Sequence, residues 1–211
     1  LQTASVQGSY PGKAILDALQ AGHYLGALVE AERTSDDEQL LDFYGLTQSF
    51  VGQEQEMLVT FDSMGAERQA ELAHSPLEDA EALDAIPAIV AAAKGRQIVI
   101  LNESHHMARH RAFALELARA LRAEGFDTFA AEAFGDVAKT VARGYPARDT
   151  GFYTAEPVFG ELVRGVLALG YTPIAYEAEA RAPGGDVNER INRREIEQAQ
   201  NLFARVFQVN P

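Results

Sequence analysis

One segment of the chain predicts the fold class more strongly than any other: Ile98-Val-Ile-Leu-Asn-Glu-Ser-His-His-Met-Ala-Arg-His-Arg111. Its aliphatic first half is typical of a buried strand in a parallel sheet, and its polar second half begins a charged helix. Ligands of open α/β sheets bind just beyond the carboxyl ends of such strands. Glu103, His105 and His106 lie at that point, so we expect the chemistry of the protein there.

Strands and helices alternate along the chain from residue 97 onward. The predicted strands cover residues 97–102, 128–131 and 172–176, and the predicted helices cover residues 107–124, 158–169 and 187–207. This alternation predicts a three-layer α/β fold, a parallel sheet with helices on both faces. A helical N-terminal segment, residues 1–94, precedes this domain, residues 95–211. A fourth strand is expected where the chain stops at Asn210-Pro211, so we expect a C-terminal truncation.

The composition excludes several classes of function. The formal net charge is −13 at pH 7, whereas nucleic-acid binding needs clustered Lys and Arg. No apolar run approaches the ~20 residues of a membrane-spanning helix. The chain has no cysteine, which excludes disulfides and thiolate chemistry. A start at Leu1 fits a cleaved signal peptide and a periplasmic or secreted location, but the compartment and the oligomeric state stay open.

Each predicted strand is followed by a carboxylate: Glu103, Glu132 and Glu177. Because the carboxyl ends of parallel strands lie at one edge of a sheet, we expect the three side chains at a common rim. Carboxylates held close together raise one another's pKa, which prepares an acid–base site. The alternative for each Glu is a cap on the helix that follows. Three such residues beside two histidines favour a shared site.

His106 follows Glu103 by three residues, which places both at the same turn between strand and helix. We expect the Glu103 carboxylate to orient the His106 imidazole as a general base. His106 and His110 are four residues apart, a spacing that also suits metal ligands on a helix. No cysteine and no clear third histidine accompany them, so we predict no metal site and a surface or capping role for His110.

These residues resemble a known family. The run Leu101-Asn-Glu-Ser-His-His106, Glu132 after the next strand, and Arg194-Glu-x-x-Gln-Ala-x-Asn201 are similar to motifs of the erythromycin esterase-like superfamily. That superfamily also contains the ChaN-like haem-associated lipoproteins. The resemblance covers about residues 97–207 and leaves the helical N-terminal third outside it.

The resemblance implies which residues act. The family motif is a Gly-Glu-x-x-His turn, so Glu103 corresponds to its acid, His106 to its general base and Glu132 to the second acid. Asn102 stands where the family has Gly. The esterase branch also uses a histidine near the C-terminus, and no histidine follows His110 in this chain.

The resulting expectation is a metal-independent hydrolase of an ester or related bond in a small-molecule substrate. Arg194 would steady an anionic intermediate, and further substrate contacts are expected from His105, Tyr153, Glu177 and Asn201. Tyr153 lies in a long loop, residues 142–156, that would serve as a lid or as an ordinary crossover. The Arg194 face of its helix is also typical of a solvated helix.

Two other functions stay open. The ChaN-like branch implies a haem- or metal-binding protein, with His105, His106 or His110 as the ligand to haem or a divalent cation. Alternatively, the helical segment mediates assembly and the α/β part is a non-catalytic remnant.

Overall fold

The computed structural model of the chain describes residues 12–65, 77–178 and 186–209. The expected truncation at Asn210-Pro211 therefore lies outside the described residues. The chain divides into two compact units. The first unit holds the described residues up to Glu81 together with Ser104–Ala108, and the second holds Ala82–Glu103 and the described residues from Arg109 onward. The turn after Glu103 therefore belongs to the first unit.

Four helices form the described part of the first unit. They are α1 (Lys13–Gln20), α2 (Tyr24–Glu32), α3 (Leu41–Phe50) and α4 (Glu54–Gly65). Ile15 and Leu19 lie four residues apart on α1 and are both buried, as expected for the inward face of an amphipathic helix. Helices α3 and α4 approach closely at Gly45, where a Cβ atom would lie 2.5 Å from the ring of Phe61.

The remaining described helices and both strands follow in chain order. They are α5 (Ala85–Ala93), α6 (Ala108–Ala123), β1 (Thr128–Ala131), α7 (Val137–Arg143), α8 (Pro157–Ala168), β2 (Thr172–Ala175) and α9 (Val187–Leu202). A 3-10 turn at Tyr153–Ala155 precedes α8, and a π-helical turn at Phe203–Phe207 follows α9. The helices predicted over residues 107–124, 158–169 and 187–207 are thus present at nearly the predicted bounds.

Helices α6 and α8 form the core of the second unit. Leu115 of α6 and Val163 of α8 are buried in one cluster. A Cβ atom at Gly165 would lie 2.3 Å from Leu115. The absence of a side chain at position 165 therefore allows α8 to lie this close to Leu115. The Tyr171 hydroxyl donates a hydrogen bond of 2.7 Å to the carbonyl of Ala118, which satisfies this buried phenol.

The sheet of the described chain consists of β1 and β2 alone. The two strands are parallel, with Thr128 opposite Thr172 and Ala131 opposite Ala175. Their carboxyl ends therefore lie side by side at one edge. This register brings the residues that follow β1 and β2 close together.

The predicted three-layer α/β fold is wrong, because the protein is mostly helical with this small parallel sheet. Residues 97–102, predicted as the first strand, belong to no helix or strand. Ile98, Ile100 and Leu101 are exposed, and Ile100 is 88% exposed. An aliphatic run becomes a strand only where a neighbour pairs with its main chain. Within the described ranges, β1 pairs with β2, and no strand pairs with residues 97–102.

No described helix is both long and apolar enough to cross a membrane. This agrees with the expectation, from the hydropathy of the sequence, that the chain has no membrane-spanning helix.

Candidate functional site

Two carboxylates and one guanidinium meet at the carboxyl ends of β1 and β2. Glu132 directly follows β1, and Glu177 lies two residues beyond β2. Arg194 of α9 donates from Nε to Glu177 at 2.9 Å, and from Nη2 to both Glu132 and Glu177. We call Glu132, Tyr176, Glu177, Arg194 and Gln198 the strand-end site.

Helix α9 presents one polar face to the end of β2. It begins with a capping box formed by Asp186 and Glu189, which fixes its first turn. Farther along, Gln198 donates to the two carboxylate oxygens of Glu177 at 3.3 and 3.2 Å. Asn201 donates to the main-chain carbonyls of Tyr176 and Glu177, at 3.2 Å each. The Asn201 side chain therefore holds the strand end, and its predicted contact with substrate stays a prediction.

The ion pairs of the strand-end site favour the charged forms of Glu177 and Arg194. Partial burial raises the pKa of Glu177, but hydrogen bonds from Arg194, Ala178 and Gln198 outweigh it and hold that pKa below its ordinary value. The hydrogen bond to Glu177 raises the pKa of Arg194, against the effect of burial. The side chains of Arg194, Glu132 and Glu177 are 43%, 36% and 33% exposed, so solvent and small molecules reach them.

Tyr176 belongs to the strand-end site and was not among the residues predicted from the sequence. Burial raises the pKa of its phenol, and the nearby carboxylates of Glu132 and Glu177 raise it further. The phenol is therefore protonated at neutral pH and available as a hydrogen-bond donor. Its place between β2 and a strand-end carboxylate is the signal that would have identified it.

Glu103 takes part in a second cluster, centred on Arg111. The Arg111 side chain is fully buried, and its Nε and Nη2 donate to Glu103 at 3.1 and 2.9 Å. Its Nη1 donates to the buried Glu156 at 3.0 Å. Glu156 also caps α8 by accepting hydrogen bonds from the amides of Val158 and Phe159 at 2.7 and 2.8 Å. The structure thus brings Glu132 and Glu177 to Arg194, and Glu103 to Arg111.

Neither Arg111 nor Glu156 was predicted to belong to a charged cluster, although the sequence carries a signal for each. Arg111 lies four and seven residues before Leu115 and Ala118, which places it on the buried face of α6. A guanidinium on a buried face needs carboxylate partners. Glu156 precedes Pro157, the first residue of α8, and this order is typical of a helix start.

The predicted base lies in the first unit. The imidazole of His106 stacks on the ring of Phe61 in α4, with 3.8 Å between ring centroids and 18° between ring planes. His106 is half-buried, and the neighbouring His105 is exposed. The predicted pair of Glu103 and His106 joins residues of separate units and stays a prediction from their spacing.

The loop that contains Tyr153 is tied to the segment after β1. The amide of Gly135 donates to the carbonyl of Thr150 at 2.6 Å. A Cβ atom at Gly151 would lie 1.8 Å from the carbonyl oxygen of Ala133, so only glycine fits there. The ring of Tyr153 packs against the core of the second unit. These contacts favour an anchored crossover over a freely moving lid, and a substrate contact of Tyr153 stays a prediction.

In the part of the chain that the structure describes, no group of three or more His, Cys, Asp or Glu side chains is placed to hold a metal ion. The chain matches no protein-family model, no curated protein and no solved structure. The resemblance to the erythromycin esterase-like superfamily therefore rests on its short motifs alone, and the haem- or metal-binding alternative stays a prediction.

Proposed function

We propose that this protein hydrolyses an ester or related bond in a small molecule, and that the strand-end site carries out the reaction. The observation that carries the proposal is the sharing of Arg194 by two carboxylates at the carboxyl ends of adjacent parallel strands. Exposed ion pairs contribute only about 0–1 kcal/mol to stability. Besides attaching α9 to the end of β2, this partly exposed network stays open to solvent, which favours a role in binding or chemistry.

Glu132 and Arg194 have complementary roles in the proposed reaction. The Glu132 carboxylate accepts a proton from water as the water oxygen attacks the ester carbonyl carbon, a step worth about 10²–10⁴-fold in rate. Arg194 uses Nε and Nη2 for its two carboxylates, so we assign Nη1 as donor to the developing oxyanion. The tetrahedral intermediate then expels the alcohol, which takes the proton back from Glu132.

Glu177 and Tyr176 support this chemistry. Glu177 keeps its charge because its pKa is lowered, and it holds Arg194 in place together with Gln198. The Tyr176 phenol is protonated at neutral pH, and its raised pKa favours that form further, so it supplies a second donor, which is uncharged, for a substrate oxygen. The sequence assigns the base to His106 instead, and a variant at each position distinguishes the two assignments.

The experiment measures hydrolysis of 4-nitrophenyl acetate by the wild type and by Glu132→Gln. The Gln side chain has nearly the same shape and cannot accept the proton, so kcat should fall by about 10²-fold or more. Glu161→Gln is the matched control, because Glu161 is an exposed carboxylate of α8 paired with Arg164. Both variants should melt at the wild-type temperature.

Two outcomes would contradict the proposal. Either the wild type is no faster than buffer, or Glu132→Gln and Glu161→Gln retain equal activity. If Glu132→Gln stays active and His106→Ala does not, the protein is a hydrolase, but the assignment of the reaction to the strand-end site is wrong and the base is His106.

A further inference from the structure

The contacts between α9 and the sheet move outward along β2 as the helix is followed back toward its start. Arg205, just after α9, donates to the carbonyl of Ala175, Asn201 donates to the carbonyls of Tyr176 and Glu177, and Arg194 reaches the Glu177 carboxylate. The helical turn that precedes Arg194 therefore lies beyond the strand ends. Ligands of open parallel sheets bind on this side of the strands.

Arg190 lies in this turn, four residues before Arg194. The two side chains share one face of α9, with about 5–6 Å between their Cβ atoms. The amide of Arg190 donates to the carbonyl of Asp186 at 3.1 Å, so the turn is helical from its first residues. Arg190 is exposed, and no carboxylate within the described ranges forms an ion pair with it. Its guanidinium can therefore bind an acidic group of a ligand.

Ile191 gives the same turn an apolar side chain. It lies three residues before Arg194, on the same side of the helix, and is 47% exposed. A ligand that extends from Arg194 to Arg190 passes beside Ile191, which would contact a short hydrocarbon chain. The outer turn of α9 thus combines two cations with an apolar residue between them.

We propose that Arg190 binds a distal carboxylate of the substrate, so that the strand-end site acts on esters whose acyl chain ends in a carboxylate. This inference rests on the proposed hydrolysis, which places the ester carbonyl at Arg194. Four residues of helix span about 6 Å. An extended acyl chain of about six carbon atoms covers this distance, as in a monoester of adipic acid.

Hydrolysis of two 4-nitrophenyl esters tests the preference. Mono-4-nitrophenyl adipate ends in a carboxylate, and 4-nitrophenyl adipamate ends in a carboxamide of nearly the same size. Arg190→Gln should raise KM for the adipate ester about 5-fold, the size expected of one exposed ion pair, and leave its kcat nearly unchanged. The adipamate ester should have the same KM in the wild type and the variant.

Arg193→Gln is the matched control for Arg190→Gln. Arg193 is also an exposed arginine of α9, but it lies about 100° around the helix from Arg194. Both variants lose one positive charge, so the net charge of the chain repels an anionic ester equally in the two. Equal KM values for the adipate ester in Arg190→Gln and Arg193→Gln would overturn the inference and leave the hydrolase intact.

Binding of adipate itself separates this inference from the proposed function. Titration with disodium adipate, followed by the backbone amide NMR signals of α9, should give a dissociation constant about 5-fold higher in Arg190→Gln than in Arg193→Gln. Uncharged adipamide should not distinguish the two variants. An inactive wild type that binds adipate through Arg190 would contradict the hydrolysis alone. Equal adipate binding by both variants, or none by the wild type, would contradict the carboxylate site whether or not the protein hydrolyses esters.

Discussion

Arg111 forms ion pairs with Glu103 and Glu156 within the second unit. Its guanidinium is fully buried and donates to Glu103 and to the equally buried Glu156, while the ring of Phe159 lies 5.0 Å away. A buried charge is tolerated only while its partners remain, because solvation is lost on folding. Arg111 therefore supplies the counter-charge of two carboxylates, the buried Glu156 and the partly buried Glu103.

Replacing Arg111 should destabilise the fold more than replacing an exposed arginine does. We expect Arg111→Met to lower the free energy of unfolding by about 3–5 kcal/mol, because two carboxylates lose their counter-charge. Arg119→Met, on the same helix but in an exposed pair with Glu116, should change it by at most about 0.5 kcal/mol. Urea denaturation measures the free energy of unfolding of both variants.

A double variant identifies the cause. Arg111→Met with Glu156→Gln should be less destabilised than the sum of the single changes, because the unpaired carboxylate is gone. Additive losses, or equal losses in Arg111→Met and Arg119→Met, would show that the cluster contributes no buried electrostatic interaction.

The sequence predicted the surroundings of two of the three strand-end glutamates correctly. Glu132 and Glu177 were expected at one rim because each follows a strand, and the structure brings both to Arg194. Glu103 was expected there too, but the segment before it is not a strand. Its carboxylate binds Arg111 instead. Glu103 differs from Glu132 and Glu177 because the segment before it pairs with no strand. Strand pairing depends on tertiary structure, which hydrophobic periodicity does not predict.

At the scale of elements, α9 is attached in an unusual way. None of its described residues is buried, and Ile191 and Ile196 are exposed. Arg194, Gln198 and Asn201 instead hold the helix to the end of β2 through hydrogen bonds. The amphipathic pattern predicted the helix and its bounds, but not that polar side chains would attach it. Attachment through charge should respond to pH and salt.

Acid should release α9 before it releases the core helices. The pKa of Glu177 is lowered in the folded protein, so its contribution to stability is present above its unfolded pKa and is lost as pH falls through the folded value. The ordinary value is 4.5, so the attachment should be intact at neutral pH and weaken below about pH 4.5. Hydrogen-exchange protection factors of the α9 amides measure this loss of attachment as the pH is lowered.

Helix α8 is the internal control for this titration, because Phe159, Leu162 and Val163 bury one of its faces. Its protection should persist at a pH where that of α9 has fallen. In Glu177→Gln the protection of α9 should be low at neutral pH and should hardly change with acid. Simultaneous loss in α8 and α9, or a wild-type pH dependence in Glu177→Gln, would contradict an attachment through Glu177.

At the scale of the whole molecule, the charge of the chain works against folding. The formal net charge of −13 disfavours any compact state through self-repulsion. Salt screens this repulsion, with a screening length of about 10 Å at 0.1 M. Salt also screens the exposed pairs of Arg194, so one change of solvent has two effects of opposite sign.

Repulsion within a chain of net charge −13 acts between many groups, whereas an exposed ion pair contributes only about 0–1 kcal/mol, so we expect the overall effect of salt to be stabilising. Raising NaCl from about 20 to about 300 mM should raise the melting temperature by roughly 2–4 °C, which corresponds to about 1 kcal/mol for a chain of this size. Protection of α9 should fall over the same range, because its attachment loses part of the attraction to Arg194. KCl at equal ionic strength should act alike, since screening does not depend on the cation. A melting temperature that falls with salt would mean that attractive pairs, rather than net repulsion, dominate the electrostatics of the fold.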